Sequence, residues 1–289
     1  MVTCRDIFKK GLDTLLENGI ENAEFDCGIL FEKAFGISFN SFKFSQEYEK
    51  QADKKNSDDF LKMINKRCEG YPLQYIAKEW EFFGMPFKVG EGVLIPRQDT
   101  ETLVEFLISR FKGKTEISVC DLCAGSGCIG ITLEKNLNCE RVTCVEFSDS
   151  AIKYLEENKK LNNSNVKIVK GDVLNEDFAK TMGKFDLIVS NPPYLTKDDM
   201  EALQKEVTFE PEMALFGGDD GLDFYRGIVR LWNNDLKDGG MLAFEIGMGQ
   251  EDEVSSMLIH SGLKNVRYKA DLCGVNRIVF GEKIFLQND

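Results

Sequence analysis

In residues 1–70 the apolar positions recur at helical spacing: Ile7, Phe8, Leu12, Leu15 and Leu16, then Phe25, Cys27, Ile29, Leu30 and Phe31, then Phe60, Leu61 and Ile64. No β-branched alternation interrupts them. The spacing predicts a small bundle of four or five helices, with breaks near Gly19, across Gly36–Asn40 and across Gln51–Asp58. At Tyr71 the texture changes. Short strand-like runs punctuated by Pro72, Gly84, Pro86, Gly90 and Gly92 predict a β-hairpin connector over 71–98, and Asp99–Phe111 returns to helix.

Beyond Gly113 the chain alternates. Apolar runs ISVCDL (117–122), RVTCVEF (141–147), VKIVKG (166–171) and FDLIVSN (185–191) are separated by helical patterns that begin near Gly127 and Asp149 and by a short third helix. Such alternation predicts an α/β domain over 99–289, a parallel sheet with helices on both faces. GGMLAFEIG (239–247), a helix over 249–261, VRYKADL (266–272) and NRIVFGE (276–282) complete it, the last two strands being close enough in sequence to pair antiparallel.

Composition narrows the function classes. A chain of 289 residues, 43% hydrophobic and 29% charged, is ordinary for a two-domain globular protein. It has no apolar run of about eighteen residues, and its first residues form an amphipathic helix pattern containing acids, so a cytoplasmic location is the expectation. Nine cysteines point to reduced thiols rather than a disulfide framework. Cys120, Cys123 and Cys128 lack a second pair at ligand spacing, so no metal site is expected. A single histidine, His260, leaves schemes that need a histidine base without a candidate. The net charge of −13 argues against neutralising many phosphates, and direct nucleic-acid binding is not expected.

Four strand ends carry the candidate chemistry. Asp121-Leu-Cys123-Ala124-Gly125-Ser126-Gly127 leaves the first strand of the sheet and opens a helix, and its glycines let the backbone approach a ligand at a helix N-terminus. With Gly130 it matches G-x-G-x-x-G, so a dinucleotide reading stands beside one of S-adenosylmethionine. The second is favoured by Asp121, placed to serve a methionyl ammonium, a carboxylate that a pyrophosphate would repel. Glu146, followed by Phe147, ends the second strand and can accept both ribose hydroxyls. Asp172 follows the third, where it can accept from an adenine amine while Val173 packs the ring. The fourth end is Asn191-Pro192-Pro193-Tyr194. Two prolines stop the strand and fix φ, so that the Asn191 side chain and the Pro192 carbonyl can both accept from one NH2 group while Tyr194 offers a flat face. Such a turn grips a planar amide or an exocyclic amine.

With these residues in place, the chain resembles the HemK/PrmC family of release-factor glutamine N5-methyltransferases over nearly its whole length. Beyond NPPY, the resemblance is carried by GYPLQYI (70–76), VLIPRQDTETLV (93–104), the glycine loop, FEPEMALFGGDDGLDFYRGI (209–228) and DLCGVNRIVFG (271–281). It implies a seven-stranded, Rossmann-like S-adenosylmethionine-dependent methyltransferase domain preceded by a helical domain, over 1–70, that docks the release factor. It implies further that Asn191 and the Pro192 carbonyl hold the amide nitrogen of the glutamine in the Gly-Gly-Gln loop of a class 1 release factor, with Pro193 and Tyr194 packing nearby. Arg97 and Thr100, with Pro96, are implied to lie near the peptide pocket, and Glu210 and Pro211 to border it. Departures from the family pattern are Cys123, where glycine is usual, Glu146 for the commoner Asp, and Val173 where some members carry an aromatic. The expected protein is a monomeric enzyme that needs no metal. A nucleic-acid amino-methyltransferase, an inactive adaptor and a nicotinamide-dependent oxidoreductase are the alternatives, in that order.

Overall fold

The computed structural model describes residues 2–39 and 49–284 and divides the chain into two units, residues up to Glu79 with Gln204–Phe209, and Trp80–Leu203 with residues from Glu210 onward. The helical unit contains α1 (Cys4–Glu17), α2 (Ala23–Phe35), α3 (Lys54–Cys68) and the short α4 (Leu73–Ala77). Thr3 and Asp6 form a reciprocal capping box that starts α1, and the left-handed Gly36 ends α2. The polar stretch 51–58, expected as a break, instead contains the start of α3. The Asp53 carboxylate accepts the Asn56 N–H at 2.9 Å, so polarity there marks a helix cap. Of the helices expected in 1–70, α1, α2 and α3 lie in the described residues, and Asn40 lies outside them.

Phe8, Phe31 and Phe60, one from each long helix, meet edge to face at 5.6 and 5.5 Å. Arg67 is buried and donates to Asp26 at 2.6 Å and to Glu206 at 2.8 Å. A buried guanidinium needs such partners, and this one ties Gln204–Phe209 into the helical unit although sequence order sets that segment within the sheet region.

The second unit opens with a hairpin, β1 (Glu79–Phe82) and β2 (Met85–Lys88), turned at Phe83 and Gly84, both left-handed. Its sheet has seven strands in the order β5-β4-β3-β6-β7-β9-β8, formed by β3 (Ile117–Leu122), β4 (Cys139–Glu146), β5 (Lys167–Lys170), β6 (Phe185–Ser190), β7 (Leu236–Glu245), β8 (Lys264–Ala270) and β9 (Asn276–Glu282). The strands from β5 to β7 run parallel, while β9 is inserted antiparallel between β7 and β8. Helices are α5 (Gln98–Phe111), α6 (Cys128–Asn136), α7 (Asp149–Leu161), α8 (Glu176–Ala179), α9 (Lys197–Glu201), α10 (Asp223–Trp232) and α11 (Glu251–His260).

Both sheet faces are apolar, as a parallel sheet covered on two sides requires. Val119, Leu187, Val189 and Ala243 face the core lined by α5 and α6, and the alternate residues Cys120, Leu122, Ile188, Leu242 and Phe244 face Tyr225, Ile228 and Trp232 of α10. Because the chain leaves β3 toward β4 and later returns to β6 on its other side, the carboxyl ends of β3, β4 and β6 surround a topological switch point.

Candidate functional site

A cavity of about 590 Å³ opens at that switch point, within the range of small-molecule sites. Its floor is the loop after β3. Cys123, Gly125 and Gly127 there have φ of 60°, 56° and 81°, so three of five consecutive residues are left-handed. Gly127 has no alternative, since a Cβ at that residue would lie 2.0 Å from the Leu155 side chain. A Cβ at Gly125 meets nothing within 4 Å, which leaves bare backbone facing the cavity. Cys123 adopts the same conformation with a side chain, at a cost of about 1–2 kcal/mol.

Glu146 holds this loop. Its Oε2 accepts the Gly125 N–H at 2.7 Å, while Oε1 accepts from Phe147 and Ser148, both at 2.8 Å. Three of roughly four acceptor sites on the carboxylate are thus engaged by backbone, and the remainder is available on the cavity wall. Asp172 and Val173 line the same wall, the first exposed and accepting the Leu174 N–H at 2.8 Å, the second buried. Ala124, Ser126 and the exposed ring of Phe147 line it too.

Asp121 is elsewhere. It sits on the buried strand β3, is fully inaccessible and is not part of the cavity wall. Its Oδ2 accepts the Gly130 N–H at 2.9 Å, and Oδ1 has no hydrogen-bond partner among the described residues. Burial pushes its carboxyl up to about 7, opposed by the Gly130 hydrogen bond. The expected contact with a methionyl ammonium is therefore replaced by a contact beneath the loop. Strand alternation turns Asp121 to the same face as Val119, toward α6, and a Cβ on Gly130 would meet Cys144 Sγ at 2.5 Å and Asp121 Oδ2 at 3.0 Å.

The opposite wall belongs to the turn after β6 and to the segment before α5. Asn191 and Pro193 line the cavity with Pro96, Arg97 and Thr100. Asn191 Nδ2 donates to the buried Thr100 Oγ1 at 3.2 Å. Arg97 donates to Glu210, whose other oxygen accepts the Ile95 N–H at 2.9 Å. Glu210 is thus not on the wall, whereas Pro211 is, and the ion pair holds 93–97 to the segment that follows Glu210.

Pro192 and Tyr194 also depart from expectation, for neither lines the cavity. Pro192 is buried and contributes rigidity to the turn. Tyr194 packs into the α10 side of the core, so close to Gly247 that a Cβ there would lie 3.1 Å from its ring. Burial pushes its phenol up to about 12. Gln250 pins the turn from outside, donating to the Tyr194 carbonyl at 3.1 Å and accepting the Gly247 N–H at 2.9 Å. Gly217 presses on it from another side, since a Cβ at that residue would stand 2.7 Å from the Pro193 carbonyl oxygen.

Sequence reasoning missed Met213, Phe216 and Phe224 on the wall and Glu245 behind it. The signal for Glu245 was an acid ending an otherwise apolar strand, in AFEIG. Among the described residues no group of three or more His, Cys, Asp or Glu side chains could hold a metal ion.

The chain matches two family models, the PrmC N-terminal domain over residues 6–77 and the methyltransferase small domain over 97–212. It is 40% identical over 284 residues to a release factor glutamine methyltransferase of Fusobacterium nucleatum, covering 96% of this chain and 78% of that one. A protein of the same description from Clostridium botulinum is 37% identical, covering 96% and 99%. Among solved structures, a methyltransferase from Pyrococcus furiosus superposes with a TM-score of 0.53 at 20% identity, over 73% of this chain and 94% of that one, a likeness of fold. On these matches the chain belongs to the release factor glutamine methyltransferase family.

Proposed function

We propose that this protein transfers the methyl group of S-adenosylmethionine to the side-chain amide nitrogen of the glutamine in the Gly-Gly-Gln loop of class 1 peptide chain release factors. One observation carries the reading: Asn191, with its nitrogen engaged by Thr100, and the bare backbone of Gly125 lie on walls of one cavity. The cavity residues fit the methyl donor. Gly125 leaves room for close approach before α6, while Gly127, which is off the wall and packed against Leu155, shapes the loop; Glu146 has acceptor capacity for ribose hydroxyls, and Asp172 and Val173 offer an acceptor and an apolar face to a purine. When bound, S-adenosylmethionine supplies a sulfonium methyl that is already strongly electrophilic.

The work left to the protein is then mostly positioning, because an amide nitrogen is a poor nucleophile whose lone pair is delocalised. Asn191 Oδ1, the end of the carboxamide not occupied by Thr100, accepts from the substrate NH2 group and aligns its nitrogen. Orientation of this kind contributes up to about 7–11 kcal/mol in well-arranged cases. Pro96, Pro193 and Pro211 keep water from the walls, and Arg97 with Thr100 borders the peptide. No step requires a histidine, consistent with the single His260 in an exposed helix end.

The helical unit is proposed to bind the factor outside its glutamine loop, and the enzyme to act as a cytoplasmic monomer without contacting nucleic acid. The charge of −13 supports the last point, and no helix of the described residues is long and apolar enough to cross a membrane. Incubation with labelled S-adenosylmethionine and purified release factor, DNA or RNA tests the substrate. Label on the factor's Gly-Gly-Gln glutamine is the expected result, and label on a nucleobase overturns it. A short Gly-Gly-Gln peptide is expected to be the poorer substrate by on the order of 100-fold in kcat/KM, and equal efficiency removes the docking role of the helical unit.

A further inference from the structure

We propose that Glu245 is a positioning residue for the transfer: with Thr100 it anchors the Asn191 carboxamide nitrogen, so that Asn191 Oδ1 is left facing the cavity as the acceptor for the incoming NH2 group. The inference rests on the methyl-transfer reading for its consequence, though not for the anchoring itself.

Register brings the residues together. In the parallel pair of β6 and β7, Ser190 is opposite Phe244, so the next residues, Asn191 and Glu245, leave the sheet side by side. Thr100 arrives from α5 and closes the group. Its oxygen accepts from Asn191 Nδ2 at 3.2 Å, which leaves its own proton free to be donated, and the buried Glu245 carboxyl is near enough that both Thr100 and Asn191 favour its ionised form. Glu245 is 1% exposed, and its Oε2 has no hydrogen-bond partner among the described residues. A buried carboxylate with an unpartnered oxygen is costly where an aliphatic side chain would finish the strand, so its presence calls for a role.

That role follows from the symmetry of a carboxamide. Nitrogen and oxygen of an asparagine side chain exchange places by a half turn about one bond, and a lone hydroxyl such as Thr100, which can donate or accept, does not decide between them. An anion does decide, because it repels the oxygen and accepts from the nitrogen. Glu245 thereby selects the orientation in which Asn191 can accept a proton donor from the cavity.

Glu245 is also poised to respond to pH. Burial raises its carboxyl to about 7; the Thr100 hydroxyl opposes this, Asp99 of α5 adds to the rise, and Arg277 of β9 and the Asn191 amide oppose it. Arg277 is shared with Asp99, at 3.0 Å, and with Asp271. From the other elements, Tyr194 after β6, Cys128 of α6 and Tyr225 of α10 face it, the Tyr225 hydroxyl donating to the Glu245 carbonyl at 3.0 Å. Ionised Glu245, present above that value, holds the carboxamide; protonated Glu245, below it, no longer discriminates its two ends.

The test uses the full chain carrying the wild-type residue, Glu245→Gln or Glu245→Ala. Two readouts are taken across the neutral pH range, the side-chain NH2 resonances of Asn191 in 15N-labelled protein without ligands, and methyl transfer to a purified release factor with donor affinity measured in parallel. The wild-type Asn191 resonances are expected to titrate with a midpoint near neutrality and kcat to rise with them. In E245Q, whose side chain cannot ionise and, like protonated Glu245, does not discriminate the two ends of the carboxamide, both pH dependences vanish and kcat stays near the low-pH value of the wild type. E245A lowers kcat on the order of 100-fold with donor affinity unchanged, since Glu245 is off the cavity wall. Asn191 resonances that are indifferent to the Glu245 substitutions overturn the proposal, as does a pH step in kcat that survives in E245Q. Resonances that behave as expected in a protein that methylates no factor uphold the anchoring and overturn the substrate reading instead.

Discussion

The loop after β3 and the turn after β6 leave neighbouring strands at the same end of the sheet and face one cavity, yet they are built differently. The first is made of neighbouring material, its own residues and the strand and helix that follow next in the chain. Its shape comes from left-handed backbone at Cys123, Gly125 and Gly127, all within five residues, and from braces on the next strand and helix, Glu146 on the Gly125 N–H and Asn158 of α7 on the Ser126 carbonyl. The turn after β6 is held by residues distant in sequence: Thr100 on the Asn191 nitrogen, Gly217 on the Pro193 carbonyl, Gln250 on the Tyr194 carbonyl, and Glu245 alongside. A site for a ligand shared by many proteins can be written into a short loop. Under the proposed function the turn orients one particular amide, and that task needs side chains braced from several directions.

The largest expected effect separates the two. Asn191→Ala removes the acceptor and should lower turnover by on the order of 100-fold or more while donor affinity, measured by calorimetry, changes little. Equal losses in both would mean that the regions are not independent. Gly127→Ala addresses the other side, since its Cβ clashes with Leu155 in a backbone conformation that disfavours any side chain. Chemical denaturation should show a loss of about 2–4 kcal/mol, with weakened donor binding. Gly217→Ala has the opposite signature. The clash is with the turn's own backbone, so kcat should fall about tenfold or more with donor affinity retained.

A pH prediction follows from Asp121, which braces the loop from below. Its carboxyl titrates at about 7 in the folded protein and near the ordinary value of 3.8 when unfolded. The folded state therefore holds the extra proton between these values, and stability is fully present below the lower one and lost as pH rises through the upper. Glu245, raised from 4.5 to about 7, acts in the same direction. Denaturation midpoints should fall from mildly acidic to neutral pH by the equivalent of a few kcal/mol, and Asp121→Asn should flatten the dependence. The smallest effect is expected at Cys123. Cys123→Gly relieves a left-handed strain of about 1–2 kcal/mol and loses part of that to backbone entropy, so a gain of about 1 kcal/mol or less is expected. A loss would mean that the thiol's packing outweighs the strain.

The pattern of residues 117–191 was enough to read strands, helices and their parallel arrangement, because burial on both sheet faces makes each strand a short continuous apolar run, set apart from the helical spacing between the runs. The glycine loop and Asn191 were equally legible, since each announces itself by residues with unusual backbone properties. Asp121 and Tyr194 were not. Both stand in motifs that suggest ligand contact, and only the facing elements decide that one is turned beneath the loop and the other into the core. The same holds for Gln204–Phe209, whose place with the helical unit depends on a buried arginine more than a hundred positions away, as the 139-residue separation of Arg67 and Glu206 makes plain.

The amino-acid sequence alone determined the two kinds of texture, the strand ends that line the cavity and the family, because these rest on local periodicity, on glycine and proline stereochemistry, and on motif order. Tertiary structure decided which carboxylates touch the cavity, which way the Asn191 amide is held, and what braces the turn. Those outcomes depend on contacts between residues far apart in the chain, and on a desolvation cost for Asp121 and Glu245 that exists only once the strands around them have closed.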